Sequence, residues 1–328
     1  MPTLSPTPAA AEPLLAAIAA SRRLSQYRMA FSAGSEQGDE RFPIIEYTAS
    51  FDGSQVAFRV QSPAHGSGSQ ELQVIISEGI TYARGPLPLS GAEQAVWYNL
   101  GAQPPAATRP PLTLDQLLGL ITGKIDLAAF RDDGEILHDG QNCTRYRAGL
   151  AAALGMFDSL GRPTTAEAMA AEATPVVERM QAQGIRFGDS EALILVCDGL
   201  VTHVRSTVDG EGMPGRAGTF RMMLSLDVTA DSEAMAFVAP LAPLQPGERA
   251  VMATVANGGN LRAAPSLQGA VQDQIHAAES VRLLGRSADG RWYKIINLRD
   301  QAGWVSATLL SIDQEQAVHV PVTTPSPK

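Results

Sequence analysis

Residues 251–312 constrain this chain more than any other stretch, because strand-length apolar runs and tight-turn residues alternate there with no room for a helix. The runs are Val251-Met252-Ala253-Thr254-Val255, Asn260-Leu261-Arg262-Ala263-Ala264-Pro265, Ser280-Val281-Arg282-Leu283-Leu284, Arg291-Trp292-Tyr293-Lys294-Ile295-Ile296 and Gly303-Trp304-Val305. Asp289-Gly290 separates two β-prone runs, where a hairpin turn needs positive φ, and Ala302-Gly303 closes the next connection. The pattern predicts a small five-stranded β-barrel.

The order Asn-Leu-Arg-x-x-Pro, an apolar strand, Trp-Tyr-Lys-Ile and then Gly-Trp-Val resembles the bacterial Src-homology-3-like (SH3b) domain, a module common on exported bacterial proteins. Two places depart from the pattern. Ala263-Ala264 stands where Ser-Gly is common before the proline, and Glu279-Ser280 where a Gly-Asp or Gly-Thr turn is usual. The resemblance implies an extracytoplasmic protein whose module binds peptidoglycan or an envelope protein, or packs on a neighbouring domain. Trp292 and Trp304 are the candidates for a recognition groove, with core or turn packing as the alternative.

A barrel of this size leaves a larger domain before it in a chain of 328 residues. The organisation expected is a Pro-rich tether at 1–12, a large domain at 13–240, a linker at 241–250, the barrel at 251–312 and a flexible tail at 313–328. With 25 basic and 34 acidic residues the net charge is -9, which argues against nucleic acid or an anionic membrane surface as electrostatic partner. No apolar run approaches the ~20 residues of a membrane span, and the start Met1-Pro2-Thr3-Leu4 lacks the features of a signal peptide. The tether is of the kind that follows the lipidated cysteine of a bacterial lipoprotein. Anchoring through such a cysteine, itself outside this sequence, is therefore the expectation.

Before residue 240 the dominant period is two. Residues 27–31, 44–51, 56–60, 72–76, 80–84 and 96–100 alternate as short sequential strands, with Asp52-Gly53 and Glu78-Gly79 in turns. Asp139-Gly140 and Asp198-Gly199 mark two later hairpins, and residues 220–226 form a last long strand. Helices interrupt the strands. Residues 9–24 carry Leu14, Leu15 and Ile18 on one face, and Thr113-Leu114-Asp115-Gln116 is a capping box before Leu117, Leu118, Leu120 and Ile121. A second box, Thr164-Thr165-Ala166-Glu167, and Thr174-Pro175 open a helical insert that runs through Met180. The fold class expected is mostly β with α insertions (α+β): a curved antiparallel half-barrel sheet with helices on its concave side, followed by the SH3-like barrel.

Several phrases in order resemble the periplasmic LolA/LolB-like carriers and the LppX/LprG-like lipid-carrier lipoproteins. These are Tyr82 with Gly85-Pro86, Trp97-Tyr98, the Leu117-Leu118 helix, Asp139-Gly140 leading to Tyr146, and Val196 to Val204 around Asp-Gly. The resemblance implies a non-enzymatic protein that holds an acyl lipid or lipoprotein in an apolar cavity. The candidate lining residues are Met29, Phe31, Tyr47 and Phe58 on the early strands, and Leu117, Leu118, Ile121, Met169 and Met180 on the helices. Met222 and Leu224 complete the set on the last strand. Flexible thioethers suit an adaptable apolar site. The alternative is a cell-envelope interaction scaffold in which the same residues form a filled core.

Cys143 and Cys197 are the two cysteines, each in a strand-like run. An even count in a chain that resembles exported proteins favours one disulfide, with two buried thiols as the alternative. No histidine lies at zinc-ligand spacing from either cysteine, and a cysteine peptidase would place its nucleophile at a helix start. The five histidines, His65, His138, His203, His276 and His319, show no mutual spacing that suggests a metal or a catalytic pair. Gly210-Glu211-Gly212-Met213-Pro214-Gly215 fits a dinucleotide-binding spacing, but a strand follows it instead of a helix, so it reads as a hairpin loop. No enzyme activity, cofactor or metal is expected.

Overall fold

The structure is a computed structural model that describes residues 11–38, 40–63, 69–103, 105–109, 112–123, 125–160, 176–212, 218–230 and 237–323. The protein is mostly β with few helices, and its strands form antiparallel sheets, one of them large and curved. Two compact units divide the chain, and neither is continuous in sequence. The first contains residues 1–71 and 109–237, the second residues 72–108 and 238–328.

In the first unit the strands are β1 (Gln26–Gln37), β2 (Glu40–Asp52), β3 (Gln55–Pro63), β7 (Arg131–His138), β8 (Gln141–Ala148), β9 (Arg186–Cys197), β10 (Leu200–Glu211) and β11 (Thr219–Ala230). They are hydrogen-bonded in the order β3-β2-β1-β11-β10-β9-β8-β7. β1 and β11 lie side by side although most of the unit separates them in sequence. The hairpins turn where Asp-Gly predicts: Asp139 (φ 49°) with Gly140 (φ 80°), and Asp198 (φ 50°) with Gly199 (φ 77°), the left-handed pair of a type I′ turn.

Register puts one side chain in two on a common face. Across β2, β1 and β11 it aligns Tyr47 with Phe31 and Leu226, and Ala49 with Met29 and Val228. On β10 and β9 the face continues through Val204 with Ile194 and Ser206 with Ala192. Three helices cover it: α1 (Ala11–Ser21), α2 (Leu114–Gly123) and α3 (Leu150–Leu160). Each is tied down by a polar bond at the boundary. Val201 N–H donates to Ser21 Oγ (2.8 Å), Leu114 N–H to Tyr27 Oη (3.1 Å), and Ser206 Oγ–H to the Ala153 carbonyl (3.0 Å). The capping box of α2 forms as expected, since Thr113 N–H reaches Gln116 Oε1 (2.9 Å) and Gln116 N–H reaches Thr113 Oγ1 (3.3 Å).

Helix α3 is absent from the sequence-based expectation because its run of Leu and Ala has no polar face to give a period. It packs by smallness: Ala152, Ala153, Leu154 and Met156 are all buried, and the alanines let the helix approach the sheet closely. The capping box at Thr164 and the helix start at Thr174-Pro175 lie outside the described residues, whereas α4 (Val176–Ala182) leads through Ile185 into β9.

The second unit holds β4 (Ser69–Ser77, from Leu72 onward), β5 (Ile80–Arg84) and β6 (Tyr98–Gly101), together with a sheet of seven strands. These are β12 (Val251–Val255), β13 (Gly259–Arg262), β14 (Val271–Ile275), β15 (Ser280–Arg286), β16 (Trp292–Ile296), β17 (Ala302–Ser306) and β18 (Leu310–Ser311). Five strands were expected here. The two additional ones carry little side-chain signal: Val271-Gln272-Asp273-Gln274-Ile275 pairs through its backbone with β13 at the sheet edge, and β18 is two residues long. Val255, Leu261, Val281, Ile295 and Val305 are fully enclosed in the barrel core.

Composition assigns everything after Ile312 to a flexible tail, but part of the segment 313–323 is anchored to the barrel through Val320 and backbone hydrogen bonds. After α5 (Gln314–Ala317), Val320 enters the barrel core. Arg286 N–H then donates to the Pro321 carbonyl and Thr323 N–H to the Arg286 carbonyl, both at 2.8 Å. Glu279, where the resemblance leads one to look for a Gly-containing turn, is a buried bolt. Its carboxylate accepts from His276 N–H (2.9 Å), and the positive φ of the turn falls on Ala278 (66°).

Candidate functional site

The apolar face of the large sheet gathers most of the candidate lining residues. Met29, Phe31, Tyr47, Phe58 and Leu224 on the strands and Leu117 and Leu118 on α2 are each 4% exposed or less. The rings of Phe31 and Tyr47 meet at 5.4 Å, and those of Tyr27 and Phe51 stack at 4.7 Å. Burial pushes the Tyr47 and Tyr27 phenols up, which keeps both neutral; the Tyr47 hydroxyl donates to the Leu112 carbonyl (3.4 Å). Protein atoms surround this end of the face on all sides.

Towards the other end of the strands the cover thins. Met222 is half-buried, and on β2 Phe42 is 36% and Ile44 66% exposed; Met180, also half-buried, lies on α4. A bulge between Ala33 and Gly34 shifts the β1–β2 register here, opposing Gly34 to Pro43 and Ser35 to Phe42. A cleft of about 490 Å³ lies at this end of the strands, and its lining is mixed: Phe187, Gly210 and Phe220 together with the charged Glu36, Arg186, Asp209, Glu211 and Arg221. Gly210 is required there: a Cβ would sit 2.6 Å from the Phe220 ring and 2.8 Å from the Arg186 carbonyl. Ile121 lies in α2, and Met169 lies outside the described residues. Phe42, Phe187 and Phe220 were missed as candidates, the first because Pro43 interrupts its strand pattern, the second because it adjoins Gly188, and the third because it stands at the start of its strand.

The opposite face is charged. Arg147 and Arg205 both bond Glu191 (2.5 and 2.6 Å), and Arg221 bonds Asp209 (2.7 Å). Burial raises the Glu191 carboxyl and the two guanidiniums outweigh it, leaving it below its usual range. Beside these ladders Cys143 and Cys197, directly opposed on β8 and β9 with Cα atoms 4.2 Å apart, form a disulfide that packs with Leu193, Leu195 and Ile136.

Two histidines distant in sequence come together on this face. The rings of His138 and His203 lie 5.5 Å apart, and His203 Nδ1 is 2.6 Å from Asp227 Oδ1. Scattered histidines were expected; strand order brings β7, β10 and β11 close enough to cluster them. Ser225 Oγ–H also donates to Asp227 (3.4 Å). Among the described residues no group of three or more His, Cys, Asp or Glu is arranged to hold a metal ion.

The His203 contact, more than any other, holds the Asp227 carboxyl below the usual carboxylate range. A carboxyl depressed by folding contributes stability above its unfolded pKa of about 3.9 and loses it as pH falls through the folded value. Urea midpoints measured from pH 6 down to about pH 2.5 are therefore expected to fall less steeply for Asp227→Asn than for the parent. An unchanged acid limb would show the contact to be energetically silent.

In the second unit Trp292 is half-buried and Trp304 is 4% exposed. Register sets both on the face opposite the core residues Tyr293, Ile295 and Val305. No helix among the described residues is long and apolar enough to cross a membrane.

No curated protein matches the sequence. Among solved structures the backbone is similar to that of LprF from Mycobacterium bovis, with a TM-score of 0.42 and 11% identity over 73% of this chain and 100% of that one. It is also similar to the lipoprotein LppX from Mycobacterium tuberculosis, with a TM-score of 0.31 and 11% identity over 70% and 99%. A DUF1329 family protein from Desulfovibrio piger is similar with a TM-score of 0.22 and 10% identity over 71% and 96%. Residues 257–311 match the family model described as Bacterial SH3 domain. The barrel of the second unit, from the β13 hairpin to β18, is thus a bacterial SH3 domain.

Proposed function

We propose that the protein is a non-enzymatic exported binding protein that holds an acyl lipid or lipoprotein acyl chain on the apolar face of its large sheet. The concave side of a half-barrel domain at 13–240 serves as the site, and the SH3 domain tethers the protein to cell wall or to an envelope partner. The observation that carries the reading is the gradient along one apolar face, from enclosed Phe31 and Tyr47 to half-buried Met222 and exposed Phe42, which share the register position of Ser35 on β1. A soluble protein keeps an open apolar end when something covers it. Burying a chain contributes ~0.8 kcal/mol per methylene, on the order of 10 kcal/mol for a palmitoyl chain, which is ample for reversible capture.

Extraction of the purified protein followed by mass spectrometry is expected to yield acyl lipid at near-stoichiometric amounts. Met222→Arg, a charge at the half-open end, is expected to abolish that signal while the fold persists. Protein free of lipid when isolated from its native envelope would overturn the carrier reading. The other reading is an envelope scaffold with a filled core, and the near-zero exposure of Leu117, Leu118 and Leu224 favours it. Lipid-free protein that captures an envelope protein would support the scaffold.

A further inference from the structure

The SH3 domain is recognisable as a self-sufficient barrel, yet in the second unit residues from far upstream grip it at one end. Asp300 lies in the turn between β16 and β17 with φ 58°. Arg84, at the end of β5, reaches it with Nη1 at 3.1 Å, and Trp97 Nε1–H points at the same carboxylate oxygen (3.4 Å). The Arg84 guanidinium also sits over the Trp97 ring at 4.9 Å. One carboxylate therefore joins a cation and an indole that are themselves in contact, a more directional arrangement than an isolated surface ion pair.

The chain around these residues is buried with them. Val96, Trp97 and Tyr98 are 3%, 7% and 1% exposed. The segment leading to the barrel is held as well, although its prolines and polar residues predict a free linker. Asn99 N–H donates to the Leu244 carbonyl (2.8 Å) and Leu244 N–H to the Trp97 carbonyl (2.9 Å), so Leu244 is added as a parallel bridge along the outer side of β6. Arg282 of β15, 8% exposed, donates to the Ala242 carbonyl. An edge strand with unpaired N–H and C=O groups invites pairing with other chains, and here the linker occupies that edge.

We infer that the bacterial SH3 domain is a fixed clamp: its β16–β17 turn is committed to the chain's own Arg84 and Trp97, and the linker strap at Ala242 and Leu244 closes the edge of β6. The domain's partner at this end is internal. Trp292, at the opposite end of β16 from Asp300, stays outside the clamp, so an external wall or envelope ligand would be met there and not at the turn. This inference concerns the barrel alone and stands whether or not the large sheet carries lipid.

Hydrogen–deuterium exchange on the full chain tests it. In the parent protein, peptides covering 96–101, 241–246 and 296–301 are expected to exchange slowly and together. Trp97→Ala and, separately, Arg84→Ala are expected to speed exchange in all three by about tenfold or more, while 251–255 and 281–285 in the barrel core keep their protection. Because the core peptides report folding independently, a variant that simply unfolds is recognised, and Asp300→Asn then serves in its place. Rapid exchange of 241–246 in the parent, or a 296–301 turn indifferent to Trp97→Ala, would overturn the clamp.

Discussion

Replacing Phe31 by alanine is expected to destabilise the first unit by about 3–5 kcal/mol, the range for deleting a large buried aromatic. Phe31 is 2% exposed, sits on a central strand of the large sheet, and meets Tyr47 on one side and Leu226 on the other in register. Neighbours on two strands cannot both move in to fill the hole, because the β1 ladder holds their backbones apart. Tyr47→Phe, which removes one long hydrogen bond to the Leu112 carbonyl and leaves the ring, is expected to cost about 1 kcal/mol. Urea unfolding followed by far-UV circular dichroism separates the two; equal losses would mean that the hydroxyl and not the packing dominates.

Removing the disulfide with Cys143→Ser and Cys197→Ser is expected to cost a similar amount. The cysteines are 54 residues apart in sequence, and the chain-entropy model gives about 4 kcal/mol for a loop of that size. The loop it closes contains α3 and α4, so the bond restrains the segment that covers β9 and β10. Two further effects act in opposite directions. Serines under Leu193 and Leu195 add the cost of buried hydroxyls, while any residual structure in the unfolded chain reduces the entropy gained. The thermal midpoint of the parent is expected to fall in reductant to near that of the double variant, and a reductant-insensitive midpoint would count against a stabilising bond.

Much of the architecture is legible in the sequence where local chemistry decides it. The Asp-Gly pairs at 139–140 and 198–199 name their turns because left-handed φ is costly for other residues, and the Thr113–Gln116 box names the start of α2 because both orphan amides find partners within four residues. The apolar alternation of residues 27–31 and 44–51 fixes which side chains share a face, as does the order of runs that spells the SH3 domain. Candidates chosen from that alternation, such as Phe31 and Tyr47, accordingly fall on one surface.

Other features depend on pairing between distant segments, and no local pattern encodes that. The β1–β11 junction sets Phe31 beside Leu226, and the strand order sets His203 against Asp227 and near His138. Helix α3 escapes a periodicity argument because its run from Leu150 to Phe157 has no polar side chain and is stabilised by what it covers. The ends of the barrel domain are decided in the same way: Val320 is held by the barrel core and Leu244 by the backbone of β6, contacts made by residues whose own sequences read as tail and linker. Local dihedral preference and hydrophobic period, both written in single segments, determined the elements and their faces; backbone pairing and burial against remote residues decided which faces meet.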